Sequence, residues 1–433
     1  MTQFSTATNE YLNNNKTIYE VVMLADKYGN VAGGTGGTST DAFGRLRVSQ
    51  PYTLFDSSHR YRDNQLWATS NTSTANATFS ASEGLVNLNV DTTANSEVIR
   101  ETTKVFSYQP GKSLLIFTTV VFASAQTNLR QRVGYYGANN GMYLEQTDST
   151  ISFVERSSVT GSMTEVRIPQ SQWNVDKMDG TGPSGKILDL SKAQILWMDV
   201  EWLGLGTVRI GFIIDGEFVL CHRFNHANIV TTTYITTASL PLRYEIKAIG
   251  DIANHATMKQ ICSSVISEGG YELNGLQQAI DTPITSPVSL TTAGTYYPII
   301  SIRLKTSPNR LDAIVILTAL SLLGITNNAF YNWQVRATGT TSGGTWTSAG
   351  NDSSVEYKIG GTGITGGRVL ASGFAGATNQ SSAPINILKE ALFQFQLERD
   401  GLAGTPYELT LCATTSSNGA NIYASMDWEE ISR

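Results

Sequence analysis

The chain has 433 residues, of which 15% are charged and 41% are hydrophobic, and its formal net charge is −6. Single hydrophobic cores stop growing at roughly 250–300 residues, so a chain of this length predicts at least two folded domains. No run of Lys or Arg could follow a phosphate backbone, and the longest apolar stretch is broken by polar residues, which argues against nucleic acid and membrane as partners.

The residue types favour short strands over long helices. Thr, Ser, Asn and Gly are abundant, and these residues are typical of turns and short extended segments. Cys221, Cys262 and Cys412 lie far apart without C-x-x-C spacing, so neither a disulfide framework nor a zinc site is expected, and we predict no cofactor. The N terminus lacks the basic cluster and apolar stretch of a secretory signal, so we expect the protein to remain in a cytoplasm until it is assembled.

Residues 1–40 are predicted to form an extended arm that ends in a glycine-rich linker. The segment is polar, with one short apolar strand before the linker at residues 33–38. So few apolar residues cannot form a core, and we expect the arm to dock on another subunit and order there. A frayed terminus is the alternative. The predicted anchoring residues are Ile18, Tyr19, Val21, Val22 and Leu24.

Two sets of strand-like segments follow the arm. In residues 41–282, apolar runs alternate with Gly, Asn and Asp, a pattern that predicts a β-sandwich or jelly-roll domain. Pro283 and Pro287 indicate an inter-domain joint, and the strands after it predict a jelly-roll-like domain over residues 283–433. The predicted fold class is therefore all-β, with two β domains behind an extended N-terminal arm.

The clearest register lies in residues 197–224, which are predicted to form a three-stranded meander. Asp215-Gly216 is a strong signal for a type I′ hairpin turn, and a five-residue loop at 203–207 would join the other strand pair. Both turns place the same apolar residues on one face, and a one-residue slip would invert that pattern. The predicted core wall consists of Met198, Val200, Trp202, Val208, Ile210, Phe212, Val219 and Cys221.

Two polar clusters have a chemical and a structural interpretation. On the outer face of the meander, Glu201 would lie opposite Arg209 with His222 beside it; proton transfer is conceivable, but a cross-strand charge pair is favoured because no nucleophile accompanies them. The loop with Asp176 and Asp179 could bind calcium, but it lacks the ligand spacing of an EF-hand loop, so a tight turn is favoured.

A third cluster combines aromatic rings with amides in a turn-rich segment. Aromatic rings stack on sugar rings and amides bind hydroxyl groups, so this cluster is the candidate glycan-binding site. Its residues are Tyr135, Tyr136, Asn139 and Asn140. The alternative is that the tyrosines are buried and bound an Asn-Gly hairpin.

Residues 40–270 also contain a series of ordered motifs. They are DAFGRLRVS (41–49), TLFDS (53–57), YQPGKS (108–113), GPSG (182–185), LDLSK (188–192), DVEWLG (199–204), FNHAN (224–228) and LPLRYEI (240–246). Together they resemble a family of virion structural proteins of tailed bacteriophages. The resemblance implies a component of the phage particle, transfers no catalytic residues and leaves capsid, neck and tail open as its location. Residues 286–433 match nothing in it.

The resemblance and the predicted arm together imply a non-enzymatic virion subunit of the capsid-decoration or head or tail fibre type. Its expected partners are other virion proteins and further copies of itself, with a trimer as one form, and it would assemble in the host bacterial cytoplasm. The alternative is a receptor-binding, lectin-like module that recognises host surface glycan. A depolymerase is a third class, but no segment pairs acidic residues convincingly.

Overall fold

The computed structural model describes residues 11–12, 18–19, 50–72, 74–376 and 395–432. In this part of the chain the predicted all-β class is confirmed, because the residues form thirty strands and a single 3₁₀ turn at Gln170–Gln172. No helix among the described residues is long and apolar enough to cross a membrane.

The predicted arm lies almost entirely outside the described residues. Strand β1 (Tyr11–Leu12) pairs with β2 (Ile18–Tyr19), which contains the first two predicted anchoring residues. Val21, Val22 and Leu24 are not among the described residues, so the anchoring role of the arm stays a prediction.

Two antiparallel sheets form the first sandwich. Sheet 1 consists of β4 (Trp67–Thr72), β7 (Glu97–Thr102), β9 (Leu129–Tyr136), β10 (Gly141–Thr147), β11 (Thr150–Ser157), β12 (Thr164–Pro169) and β16 (Leu242–Ala248). Sheet 2 consists of β3 (Pro51–Ser58), β5 (Asn76–Ser80), β6 (Leu85–Val90), β8 (Ser113–Val121), β13 (Gln194–Val200), β14 (Val208–Ile214), β15 (Glu217–Phe224) and β17 (Ala256–Glu268). The strand order is β12-β11-β10-β9-β16-β7-β4 in sheet 1 and β15-β14-β13-β8-β17-β6-β5 in sheet 2, with β3 beside β17.

The core of the first sandwich follows from the period-two alternation of its strands. Val133 and Leu144 of sheet 1 and Ile210 of sheet 2 are fully buried members of one continuous apolar cluster. Residues that alternate with them point to the opposite faces of the sheets. In sheet 1 those outward positions carry many of the charged residues of the domain, and they form the site described in the next subsection.

A second sandwich has its own core. Sheet 3 consists of β18 (Leu276–Asp281), β19 (Val288–Leu290), β21 (Ile314–Gly324) and β30 (Ala420–Ser432). Sheet 4 consists of β20 (Tyr297–Leu304), β22 (Phe330–Ser342), β23 (Thr347–Ser348), β24 (Val355–Ile359), β25 (Gly363–Thr365), β26 (Arg368–Gly376) and β29 (Glu408–Thr415), and a separate hairpin pairs β27 (Arg399–Asp400) with β28 (Thr405–Pro406). Buried residues such as Ile302, Tyr331 and Trp428 fill the space between sheets 3 and 4.

The chain enters the second sandwich upstream of the joint predicted at Pro283 to Pro287. Strand β18 pairs with β30 along its whole length, so it belongs to sheet 3. Pro283 lies in the connection from β18 to β19, where its carbonyl accepts a hydrogen bond from the Ser286 N–H at 2.9 Å. The proline signal therefore marks a turn inside the second sandwich, because proline favours tight turns as readily as linkers.

The meander forms with the predicted apolar face but a different register. Val200 pairs with Val208 and Met198 with Ile210, two residues from the predicted alignment, because the connection includes Glu201 and Trp202 as well as the expected loop. A two-residue shift preserves the face, and the predicted wall is buried apart from Trp202, which packs against it. Asp215 and Gly216 have φ values of 56° and 81°, as a type I′ turn requires.

The outer face of the meander differs from the prediction for the same reason. Arg209 lies opposite Asp199 and not Glu201, and its guanidinium pairs with the Asp199 carboxylate. Glu201 instead accepts a hydrogen bond from the Tyr108 hydroxyl at 2.9 Å. A β-bulge between Ile210 and Gly211 brings His222 opposite Ile210, so Glu201, Arg209 and His222 do not have the predicted strand register.

Candidate functional site

The outward face of sheet 1 carries a continuous set of alternating charges, which we call the ion-pair face. Arg132 of β9 lies opposite Glu145 of β10 on one side and opposite Glu245 of β16 on the other. Neighbouring rows repeat the pattern. The members of the ion-pair face are Arg130, Arg132, Arg156, Arg167, Arg243, Lys247, Glu97, Glu101, Glu145, Glu165 and Glu245.

At the centre of this face, one guanidinium holds three carboxylates. Arg132 lies 2.7 Å from Glu145, 3.4 Å from Glu245 and 3.8 Å from Glu165. Arg167 also binds Glu145, at 2.8 Å, so each carboxylate of the centre is shared between arginines. Arg132, Glu145 and Glu245 are buried, and such groups are stable in a protein interior only when they are paired and hydrogen-bonded.

Two tyrosines pack into the ion-pair face. The rings of Tyr136 and Tyr143 lie 4.4 Å apart, and the Arg156 guanidinium covers both, at 5.3 and 5.2 Å from the ring centres. The Tyr143 hydroxyl donates a hydrogen bond to Glu165 at 2.6 Å. The aromatic rings thus take the place of solvent on one side of the charged groups, which strengthens the ion pairs.

Two carboxylates of the ion-pair face, Glu165 and Glu245, have a pKa below the usual range of glutamate. Burial raises the pKa of the Glu165 carboxyl, but hydrogen bonds from Tyr143 and Arg156 and the charge of Arg132 outweigh it and lower this pKa to about 2. For Glu245, burial likewise raises the pKa, and the charges of Arg132, Arg130 and Arg243 reverse the shift to a net lowering. A glycosidase needs a carboxyl that stays protonated as its general acid, and these two groups do not supply one.

The ion-pair face continues into the second sandwich through Glu101. This carboxylate lies 3.3 Å from Arg243 of sheet 1 and 3.0 Å from Arg399 of β27. Arg399 also donates a hydrogen bond to the Thr102 carbonyl at 2.7 Å. Burial raises the pKa of the Glu101 carboxyl, and the charges of Arg399 and Arg243 offset part of this rise. Glu101 and Arg399 are both buried, so this ion pair is enclosed where the two sandwiches meet.

A small apolar cluster completes the contact between the sandwiches. Val105 of the first sandwich packs with Ile314 and Ile316 of β21. Beside it, the Gln396 side chain donates a hydrogen bond to the Val105 carbonyl at 2.9 Å. Charged and apolar contacts therefore join the two sandwiches at one place.

The predicted glycan-binding tyrosines are not on the surface, so that prediction is wrong for both of them. Tyr135 points into the core, where its hydroxyl donates to the Ala238 carbonyl at 2.6 Å and accepts from the Leu240 N–H at 3.0 Å. Tyr136 points the other way and is fully buried in the ion-pair face. A ring without exposed area cannot stack on a sugar, and the buried-tyrosine alternative describes this hairpin.

The two asparagines of the same prediction separate. Asn140 is buried, and its side-chain amide donates to the Thr236 hydroxyl at 2.7 Å while its oxygen accepts from the Ser158 N–H at 3.2 Å. These bonds tie three loops together, so Asn140 has a structural role. Asn139 is exposed at the turn, without any of the other three residues as an exposed neighbour.

The loop with Asp176 and Asp179 has the geometry of turns. Asp176 accepts hydrogen bonds from the Met178 N–H at 2.8 Å and the Ser184 N–H at 2.7 Å, and Asp179 accepts one from the Thr181 N–H at 2.9 Å. Both carboxylates close the backbone of their own loop. In the described part of the chain, no group of three or more His, Cys, Asp or Glu residues could hold a metal ion.

The ion-pair face was missed in the sequence, although a signal for it exists. Arg130 and Arg132, Glu165 and Arg167, and Arg243 and Glu245 are each separated by one residue, and period-two spacing places such pairs on one face of a strand. The signal becomes specific only when the strand order is known, because β9 and β16 are adjacent in the sheet but more than a hundred residues apart in the chain.

Comparisons with known proteins describe the fold only. No protein-family model and no curated protein matches the chain. Solved structures similar to part of it include a Bacteroides ovatus mixed-linkage glucan GH16 protein with bound product, at 10% identity and a TM-score of 0.35 over 49% of this chain and 99% of that one. Others are the CBM2 module of the evolved Dit of Lactobacillus casei BL23 phage J-1, at 9% identity and a TM-score of 0.34 over 52% and 100%, and the Emp47p carbohydrate recognition domain, at 11% and 0.31 over 50% and 97%. At this level of similarity we draw no argument about function from them.

Proposed function

We propose that the protein is a non-enzymatic structural subunit of a tailed-phage particle, of the decoration or appendage type, attached through residues 1–40. The observation that carries the proposal is the ion-pair face: Glu145, Glu165 and Glu245 are each bound by two or more arginines. Acids that are all engaged by fixed cations are not free to act in catalysis, so this face is suited to a structural role.

The residues that carry the family resemblance support the same role. In the DVEWLG motif, Asp199 pairs with Arg209 and Glu201 binds Tyr108. In the FNHAN motif, the ring nitrogens of His226 contact the Gly206 carbonyl at 2.6 Å and Glu155 at 2.7 Å. In both motifs these side chains close a loop or pair with a neighbouring strand, which is the work of structural residues.

The proposal is tested by removal of the arm. A phage that carries a deletion of residues 2–40 should assemble particles that lack this subunit, as measured by quantitative mass spectrometry of purified particles. A matched control replaces residues 2–40 with a Gly/Ser segment of equal length, which keeps the spacing and removes the anchoring side chains, and should also fail to incorporate. Incorporation of either variant at the wild-type level would exclude the arm as the anchor.

Host-glycan recognition, the alternative predicted from Tyr135 and Tyr136, loses its site because both rings are buried. Exposed aromatic residues occur instead on sheet 4 of the second sandwich, at Phe330 and Phe374.

A further inference from the structure

The outward face of sheet 4 carries a row of planar polar side chains that are fixed by one another. On β22, Tyr331, Trp333 and Val335 point into the core, so the residues between them, Asn332 and Gln334, point outward. This row includes Arg336 and reaches Tyr296, which precedes β20. We call Tyr296, Asn332, Gln334 and Arg336 the Tyr296 array.

Hydrogen bonds link the whole array. The Tyr296 hydroxyl donates to the Asn332 side-chain oxygen and accepts from the Gln334 amide at 2.9 Å. Arg336 donates to the Gln334 side-chain oxygen at 2.8 Å and lies 4.6 Å from the centre of the Tyr296 ring. Asn332 donates to the Gly373 carbonyl of β26 at 3.0 Å. These bonds hold the planar groups in place before a ligand arrives, which lowers the entropy cost of binding.

Among the residues that the structure describes, the positive charge of Arg336 has no ion-pair partner. No carboxylate among the described residues lies within ion-pair distance of Arg336, in contrast to Arg132, Arg209 and Arg399. The Nε of Arg336 is used within the array, and its two terminal nitrogens have no hydrogen bond to a described residue. A guanidinium with its terminal N–H groups free binds carboxylates and phosphates in a forked geometry.

Two exposed aromatic rings border the array. Phe374 of β26 lies opposite Asn332 in the strand register, and Phe330 lies two residues before Asn332 on the same face. Their side chains are 84% and 64% exposed, although phenylalanine is usually buried. Two rings are too small an area for a stable protein interface, which buries about 800 Å² on each partner, but they match the apolar face of one or two sugar rings.

From this combination we propose that the outward face of sheet 4 binds an acidic saccharide. The rings of Phe330 and Phe374 would cover the C–H faces of the sugar rings, the amides of Asn332 and Gln334 would bind hydroxyl groups, and Arg336 would bind the carboxylate or phosphate. This inference goes beyond the structural role proposed above and does not depend on it. The acidic group can belong to a uronic acid or to a phosphorylated sugar, since a guanidinium binds both.

The test is calorimetric titration of the full chain with three oligosaccharides of equal length: a uronic-acid oligomer, a phosphorylated oligomer and a neutral glucan. We expect binding of at least one acidic oligomer, weakening at high salt, and at least tenfold weaker binding of the neutral one. Arg336→Gln should remove the preference for acidic sugars, and Phe374→Ala should weaken acidic binding about tenfold, the change that corresponds to ~1.4 kcal/mol.

The matched control is Tyr61→Ala, because Tyr61 is an 81% exposed ring with Arg60 at 5.0 Å but belongs to the first sandwich, outside the array. It should leave saccharide binding unchanged. Phe374 is exposed, so its replacement should keep the thermal transition of the wild type, which circular dichroism checks. The proposal is overturned if neither acidic oligomer binds, or if Arg336→Gln and Phe374→Ala both bind the acidic oligomers like the wild type. Failure here would leave the particle role untouched, since that role is tested by the arm deletion.

Discussion

Arg132 balances the negative charges of three carboxylates in the first sandwich. It contacts Glu145, Glu165 and Glu245 from the centre of sheet 1, and it is buried together with two of them. Removal of one partner from a buried ion pair leaves the other charge uncompensated, which costs more than the pair itself contributes.

We therefore expect Arg132→Met to lower the free energy of unfolding by about 3–5 kcal/mol. Urea denaturation followed by tryptophan fluorescence measures the change. Lys186→Met is the control, because the ion pair of Lys186 with Asp215 is solvent-exposed, and exposed pairs contribute about 1 kcal/mol or less. Equal effects of the two substitutions would mean that the ion-pair face does not stabilise the sandwich.

His222 provides a second residue-scale prediction, on pH dependence. Burial lowers its pKa to about 4, and its Nδ1 accepts a hydrogen bond from the Asn174 N–H at 3.3 Å. The folded-state pKa is below the unfolded value of about 6.5, so the unfolded state binds the proton more tightly in that range. The contribution of His222 is complete above about pH 6.5 and is lost as the pH falls toward about 4.

Histidine NMR resonances, assigned with His222→Gln, measure this pKa directly. A midpoint near pH 6.5 would contradict the buried position of the ring. His59 has a pKa lowered in the same direction by its own burial, so the acid branch of the wild-type stability curve reports both residues, and the His222→Gln variant separates them.

At the scale of single strands, close approach of two backbones decides which residue fits. Gly134 lies in β9 between Tyr143 and Arg243 of the neighbouring strands. A Cβ atom at this position would lie 2.4 Å from the Met142 carbonyl oxygen and 2.6 Å from the Tyr143 Cα. Both are backbone atoms of the adjacent strand, so they cannot move aside without disturbing the sheet.

Gly134→Ala is accordingly expected to destabilise the protein by about 1–3 kcal/mol, the usual cost of overpacking. The shift of the thermal midpoint measures it. Gly350→Ala is the matched control, because a Cβ there meets no atom closer than 3.9 Å. A midpoint for Gly134→Ala that equals the midpoint of the control would show that β9 and β10 can separate at no cost.

The strands also show how much of the fold could be read from the sequence. Alternation gave the apolar face of residues 197–224 correctly, because a shift by two residues leaves the face unchanged. It could not give the pairing of Arg209 with Asp199, since that depends on the length of the loop after Val200. The prediction that Tyr135 and Tyr136 are exposed was wrong for a related reason. Both faces of their strand are buried, and the residues of one strand do not reveal what packs on each face.

At the scale of the whole molecule, Arg399 connects the two sandwiches. It binds Glu101 and the Thr102 carbonyl of the first sandwich, and its own N–H donates to the Thr103 carbonyl at 2.8 Å. A substitution of Arg399 would keep the backbone hydrogen bond to Thr103 but would remove the ion pair with Glu101. Loss of the guanidinium would leave Glu101 buried beside Arg243 alone.

We expect a single unfolding transition for the wild type, and we expect Arg399→Leu to uncouple the sandwiches so that calorimetry resolves two. The double variant Glu101→Gln, Arg399→Leu also removes the unpaired charge of Glu101. It should recover part of the stability that Arg399→Leu loses, as expected when an ion pair is replaced by neutral groups. A single unchanged transition in Arg399→Leu would place the coupling in the apolar contact of Val105 with Ile314 and Ile316 instead.

The position of β30 in sheet 3 determines the order in which the chain can fold during synthesis. This strand pairs with β18, β19 and β21, so sheet 3 cannot form before residues 420–432 are present. The first sandwich needs nothing beyond residue 268 for its strands and can fold while later residues are still being translated, since domains form as units from the N terminus. Until β30 emerges from the ribosome, β18, β19 and β21 have no partner in sheet 3, and their unpaired edges are open to aggregation during this interval.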